Sequence, residues 1–461
     1  MRLFPRAGPT ASMVSATSIV ACGGMAVRGV GLLKLIYAAH LFGTSDAQDA
    51  FLAAFLVPAL LSDVLAAAVA PALIPALIQQ QAGEPMESSV TLYRAAFGAG
   101  LVAATLAALA LGLAFPLILP VLASGFDHGK SALTLKLLLV MLPVLPLTAC
   151  NVVWRCLLNA RNHFALAALA PIATPVASLA ILYFGASTWG IYSLAIGTSA
   201  GCAVEAILLA QEVHRLGYPL VPRLEGALRR LGPVLGQFGT IVMSSLLFGC
   251  IPLIDNAMAA GLAAGSLSIF GFGTKLAMVI LSLGPASIAT GALPQLSRLA
   301  ANSDWRGLRG SLLHFGGLLL LVTIPLIAVL MLLSQDLVRL VFQKGAFSTQ
   351  ATFEVALVQR YSLLQVPLAV IGALGFRLAA SMAANELVIP AAGVGVAVAT
   401  LADYQLRRVF GVQGIALASV VTQLSVITTL GFLLRRRMWQ MRQGLRAGAT
   451  GEAGVSGGSS V

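Results

Sequence analysis

The chain has 461 residues, of which 59% are hydrophobic and 10% charged, with a mean hydropathy of +0.94 and a formal net charge of +12. Soluble domains carry roughly 25% charged residues, so this composition excludes a water-soluble globular protein and points to a chain solvated by lipid. Alternation of period two is absent and the apolar runs are too long for barrel strands, which excludes an outer-membrane barrel.

A spanning helix needs about 20 mostly apolar residues. Polar punctuation divides the chain into about twelve such segments, beginning near residues 13, 50, 90, 132, 165, 190, 233, 264, 310, 354, 387 and 411. The expected fold is therefore all-α, an integral membrane protein. The N-terminus, MRLFPRAGPTASM, places basic residues before an apolar run, but that run is too long for a signal peptide and no small-residue cleavage site follows, so it reads as the first span. Within that first span stand two cations, Arg28 and Lys34. The second carries Asp49 near its start and Asp63 well inside, together with Pro58, Pro71 and Pro75. Pro171, Pro175, Pro285 and Pro294 interrupt later spans; such breaks suit a helix that bends or lines a cavity.

Glu205, near Glu212 and His214, reads as a packing residue of the sixth span, Asp255 lies near the end of the seventh, and Lys275 lies inside the eighth. Arg360 is close enough to a span end to snorkel. The longest polar interruption, HRLGYPLVPRLEGALRRLG, splits the spans six and six, giving an N-terminal lobe (1–213), a linker (214–232) and a C-terminal lobe (233–440). Two lobes that both start on one side form a parallel repeat. ALIPALIQQ at 72–80 and GALPQLSRL at 291–299 are its faint echo. Residues 441–461 end in a small, polar, Gly-rich tail expected to be disordered.

Six basic residues (Lys130, Lys136, Arg339, Lys344, Arg407 and Arg408) fall on the side opposite the termini and four within spans, leaving 18 of the 28 on the side of the termini. That bias places both termini in the cytoplasm. It also makes the positive charge a matter of topology and anionic lipid, with no nucleic-acid motif beside it. The five cysteines lack metal-like spacing and read as small packing residues. Scattered histidines and single acids assemble no catalytic constellation, and neither a metal site nor a cofactor is expected, so a transporter or channel is the better class than an enzyme.

A charge at the bilayer centre costs at least ~2.5 to 3.5 kcal/mol on insertion scales, so it usually faces a cavity or a partner. Three intramembrane cations, Arg28, Lys34 and Lys275, exceed the acids around them, and the cavity should suit an anion. A phosphate or pyrophosphate head group fits, gripped by the Arg fork and the Lys point charges. Lipid-linked sugars carry such a group. Asp49, Asp63 and Asp255 are then candidates for charge pairing or ion coupling, with Asp63 expected to pair with Arg28 or Lys34.

VRGVGLLKLIYAAHLFGTSDAQDAFLAAFLVPALL, LLNARNHFALAALAP, IDNAMAAGLAAGSLSIFGFGTKL, TGALPQLSR, LVFQKGAF and GIALA, in this order and spacing, resemble successive landmarks of the MurJ/MviN family over about residues 13–438. The resemblance implies a flippase of the MOP superfamily: two six-helix lobes, MATE-like in plan, around a central cationic cavity. It would move lipid II or a related undecaprenyl-diphosphate sugar outward across the bacterial inner membrane by alternating access, in cell wall biogenesis. Its partners would be that lipid-linked saccharide, membrane lipids, and a coupling ion or the membrane potential.

By position, Arg28 matches the family's first cavity arginine, Lys34 and Lys275 stand where further arginines are usual, and Asp49 matches the acid opening the second helix. The sequence departs where the family has an arginine pair and a glutamate, reading Ser62, Asp63 and Ala67, and it ends after twelve spans without the two further helices of typical members. Other readings are a Wzx-like exporter of an O-antigen or exopolysaccharide unit, a MATE-like cation or drug antiporter, and a membrane scaffold for glycan synthesis. Few acids or aromatics lie in the spans to favour the antiporter.

Overall fold

The computed structural model describes residues 9–83, 86–223, 227–283, 298–299, 305–382 and 384–455. These residues are helical almost throughout, because a backbone in hydrocarbon must satisfy its N–H and C=O groups within its own segment. The first half comprises α1 (Pro9–Phe42), α2 (Asp46–Gly83), α3 (Met86–Leu122), α4 (His128–Met141), α5 (Val144–Ala160), α6 (Phe164–Leu169), α7 (Ala173–Trp189) and α8 (Tyr192–Arg215). The second comprises α9 (Ala227–Ala260), α10 (Ser266–Leu283), α11 (Trp305–Leu332), α12 (Ser334–Phe342), α13 (Thr349–Leu363), α14 (Gln365–Ser381), α15 (Val388–Phe410) and α16 (Val412–Val455).

Eleven segments among the described residues are long and apolar enough to cross a membrane, and the shorter apolar stretch Ser266–Val279 of α10 begins a twelfth. Three spans are paired helices. Pro143 divides α4 from α5, a 3₁₀ turn holding Pro171 divides α6 from α7, and Pro367, which lacks the N–H to continue the ladder, follows the break between α13 and α14. Pro58, Pro71 and Pro75 sit inside the unbroken α2 and Pro175 in the first turns of α7. Pro285, Pro294 and most of the 291–299 echo lie outside the described residues. Residues 441–455, expected to be disordered, continue α16 to Val455, since MRQGLRA supplies strong helix formers beyond the membrane.

Leu113, Leu117 and Val121 on one face of α3 are each about 80% exposed (83%, 81% and 78%), an orientation that only lipid stabilises. At the end holding the 43–45, 123–127, 261–265 and 343–348 turns, a single buried core unites both halves: Ala38, Phe51 and Leu119 of the first pack with Leu267, Phe272 and Phe342 of the second. Among the described residues, the cores at the opposite end are separate. One, around Leu77, Tyr93, Trp154 and Leu209, belongs to the first half, and another, around Leu308, Leu378 and Leu430, to the second. The halves thus have a sealed end and a divided end, with α9 lying against α2 and α3 as well as α15.

Candidate functional site

Three charged side chains from three helices lie near one another between the halves, with Lys275 in electrostatic range of both others. Lys34 of α1 is in electrostatic range of Lys275 of α10 and of the Cys202 thiol of α8, and Asp63 of α2 is in range of the same Lys275. No ion pair joins them among the described residues. Asp63 therefore has Lys275 of the other half as its electrostatic neighbour, rather than Arg28 or Lys34. Arg28 is exposed on α1, six residues or about 9 Å nearer the divided end than Lys34, and makes no ion pair among the described residues.

Asp49 occupies a different place, inside the seal. It is 1% exposed, and its carboxylate accepts hydrogen bonds from Gly265 N (2.8 Å), Ser268 N (2.8 Å) and the Ser268 hydroxyl. Those donors form the start of α10, so a carboxylate of one half caps a helix of the other and meets the positive end of its dipole. The Lys130 ammonium bridges Asp49 (2.8 Å) and Asp46 (2.7 Å) from within the first half. It also lies over the Phe126 ring.

Glycines permit the backbones to close over this cap. Gly265 has φ +84° and a Cβ there would lie 2.6 Å from the Thr44 carbonyl; Gly345 has φ +63° and a Cβ there would lie 2.3 Å from the His40 carbonyl. Both conformations and both approaches exclude a larger residue.

Asp255 of α9 faces Asp403 of α15 within hydrogen-bonding reach, and the Ser419 hydroxyl of α16 donates to Asp255 at 3.0 Å. The two acids are 7% and 0% exposed, and Asp255 Oδ1 and both Asp403 oxygens have no donor. Two buried carboxyl groups in contact are costly to keep both ionised. Asp403, which the sequence does not single out, lies inside α15. The signal was present in the stripe Ala391, Gly395, Ala399, Asp403, a small-residue face that ends on the acid.

Glu205 is a packing residue, as read: Thr174 donates to it at 3.1 Å and Arg155 Nε stands 3.8 Å away, all within the first half. Arg360 donates to the Met331 carbonyl at 3.1 Å instead of snorkelling. Ser268 is unremarked in the sequence and Lys130 appears there only as a loop cation; their places beside Asp49 become visible only in the folded chain.

Residues 38–449 match the family model described as Lipid II flippase MurJ. A curated relative from Synechocystis sp., named "Probable lipid II flippase MurJ", is 26% identical over 369 residues, 74% of this chain and 68% of that protein. The matched stretches cover about two thirds of the length of three such relatives, 62 to 68%. Among solved structures, one described as lipid II flippase MurJ in an inward closed conformation has a TM-score of 0.78 at 20% identity, covering 90% of this chain and 87% of that one. An inward-facing MATE family multidrug transporter of the MOP superfamily has a TM-score of 0.75 at 12% identity, covering 91% and 96%. These two likenesses show a shared fold, and the family match, which runs through nearly all the spans described above, shows the lineage: the chain belongs to the lipid II flippase MurJ family.

Proposed function

We propose that this protein moves a polyprenyl-diphosphate-linked saccharide, lipid II or a close relative, from the cytoplasmic to the outer leaflet of the bacterial inner membrane by alternating access. The observation that carries this reading is the shared core at one end and the separate cores among the described residues at the other, with Lys34 and Lys275 of opposite halves in electrostatic range of each other. Lys34 and Lys275, with the single Asp63 carboxylate in range of Lys275, leave a positive excess between the halves, and a diphosphate is the counter-charge that suits it. Arg28, on the approach from the divided end, is the first cation the head group meets. The positive-inside bias makes the divided end cytoplasmic and the sealed end outer. No bond of the substrate is made or broken.

Asp255 and Asp403 are the proposed coupling site, taking up a monovalent cation or a proton away from the lipid path, and Asp49 is the outer latch rather than an ion site. The test is transport of a fluorescent lipid-linked saccharide in proteoliposomes at matched protein levels. Losing a charge-assisted contact should cost ~1.5 to 3 kcal/mol, roughly ten- to a hundredfold in binding. Arg28→Ala and Lys275→Ala should fail, Arg28→Lys should be intermediate because it loses the planar fork, and Lys275→Arg should be nearly neutral. Full transport by the Arg28→Ala, Lys275→Ala double variant would overturn the assignment.

A further inference from the structure

On the membrane-facing side of the sealed end, away from the charged site, two cavities lie side by side along α7. The larger, about 790 Å³, is walled by Leu33 and Tyr37 of α1, Tyr183 of α7 and Phe342 of α12. The smaller, about 300 Å³, runs toward Trp189 at the end of α7. Ala180 and Phe184 line both, so the two troughs adjoin along one strip of helix. Their walls are almost wholly apolar, and Lys344 and His40 close the larger one. No carboxylate lines either trough, and Lys344 makes no ion pair among the described residues.

We infer that the two troughs bind one anionic diacyl phospholipid, an acyl chain in each, with its phosphate against Lys344. Each feature selects this occupant. Walls that face the membrane are filled by lipid chains, and two adjoining troughs suit two chains leaving one head group. A polyprenyl diphosphate has a single chain and would leave the smaller trough empty. The lone cation at the mouth favours a negative head group over a zwitterionic one. Exposed Tyr183, Phe184 and Trp189 belong at the level where chains meet head groups.

The larger trough has walls from both halves. Its C-terminal wall is tied to α1 where Ala346 N donates to the His40 carbonyl at 2.9 Å, so the trough exists only while the sealed end is closed. A lipid that binds only the closed arrangement stabilises it. The site is thus a regulatory one, and it depends on the helices lying in a membrane but not on the identity of the transported lipid.

The probe is phosphatidylglycerol, against phosphatidylcholine, on full-length protein in nanodiscs. Native mass spectrometry reads the lipid retained, and spin-label distances across the sealed end read its closure. Phosphatidylglycerol should be retained preferentially and raise the ratio of closed to open on the order of fivefold. Lys344→Gln, at an exposed position outside the transport site, should remove the preference, and Ala180→Trp should remove retention itself by filling the shared strip. Unchanged thermal unfolding of Lys344→Gln keeps the comparison valid if Ala180→Trp folds poorly. Equal retention of both lipids by the native protein, or undiminished preference in Lys344→Gln, would overturn the inference. So would displacement of the bound lipid by undecaprenyl diphosphate, which would make the troughs a substrate subsite.

Discussion

Removing the Asp49 carboxylate should unlatch the sealed end. In the native protein this group accepts three hydrogen bonds from the start of α10 and one from Lys130, and only the first three cross between the halves. Loss of a helix cap costs about 1 kcal/mol and up to about 2, and a hydrogen bond to a charged group is worth about 1.5 to 3. Because the three share one acceptor they do not add fully, and a net ~3 kcal/mol is a reasonable magnitude, on the order of a hundredfold in the ratio of closed to open. Asp49→Ala should suffer all of it. Asp49→Asn keeps one carbonyl acceptor and should fall between, and Ser268→Ala, which loses one charge-assisted bond but keeps the backbone donor, should shift the ratio roughly tenfold. Pulsed electron resonance between labels at Val121 and Val409, exposed positions on opposite halves near the sealed end, measures the populations once the native cysteines are replaced. A folded Asp49→Ala protein with the native distance distribution would refute the latch.

Gly265→Ala should open the same end by another route: the φ of +84° and the 2.6 Å approach to Thr44 cannot both survive a Cβ, and a strain of about 1 to 3 kcal/mol should register as loss of the short label distance. Arg155→Ala strands the Glu205 carboxylate inside the first half and should lower stability by up to about 3 to 5 kcal/mol, less the share offset by Thr174, whereas Arg155→Ala with Glu205→Gln should recover much of it; equal melting of single and double variants would dismiss the pair. Asp255→Asn with Asp403→Asn should leave lipid binding intact while abolishing the dependence of transport on an ion gradient, and retained dependence would move the coupling site elsewhere.

What could be read from the sequence follows from what each signal physically is. The spans were legible because lipid enforces long apolar runs, and the cations of α1 and α10 stand out because it makes every interruption conspicuous. Even there a sequence places charges by depth alone. Depth is a one-dimensional coordinate, and it cannot say that Asp63 faces Lys275 across the halves rather than Lys34 on its own side, nor that Asp403 turns inward one turn from the polar end of α15. Asp49 and Lys130 were read as a span-end acid and a loop cation. Their value arises only when Gly265 and Ser268, 216 and 219 residues away from Asp49, are brought against them.

The latch and the charged site are parts of one rigid object. Ser268 and Lys275 are seven residues apart on α10, two turns on the same face and about 10 Å along the axis, so a head group that draws on Lys275 pulls on the helix whose start Asp49 holds. Moving a two-state equilibrium from 1:99 to 99:1 takes about 5.5 kcal/mol, and two charge-assisted contacts of ~1.5 to 3 kcal/mol each, gained only in the rearranged site, supply about 3 to 6 kcal/mol and so reach it at the upper end of that range. The substrate and the latch should then be energetically coupled through α10. In the native protein a lipid-linked diphosphate should lengthen the Val121 to Val409 distance; in Lys275→Ala it should not; in Asp49→Ala the distance should be long already and the ligand should add little. In the double variant the distance should be long and indifferent to ligand. If Lys275→Ala still opens on adding the lipid as readily as the native protein, the head group acts on the gate through some element other than α10.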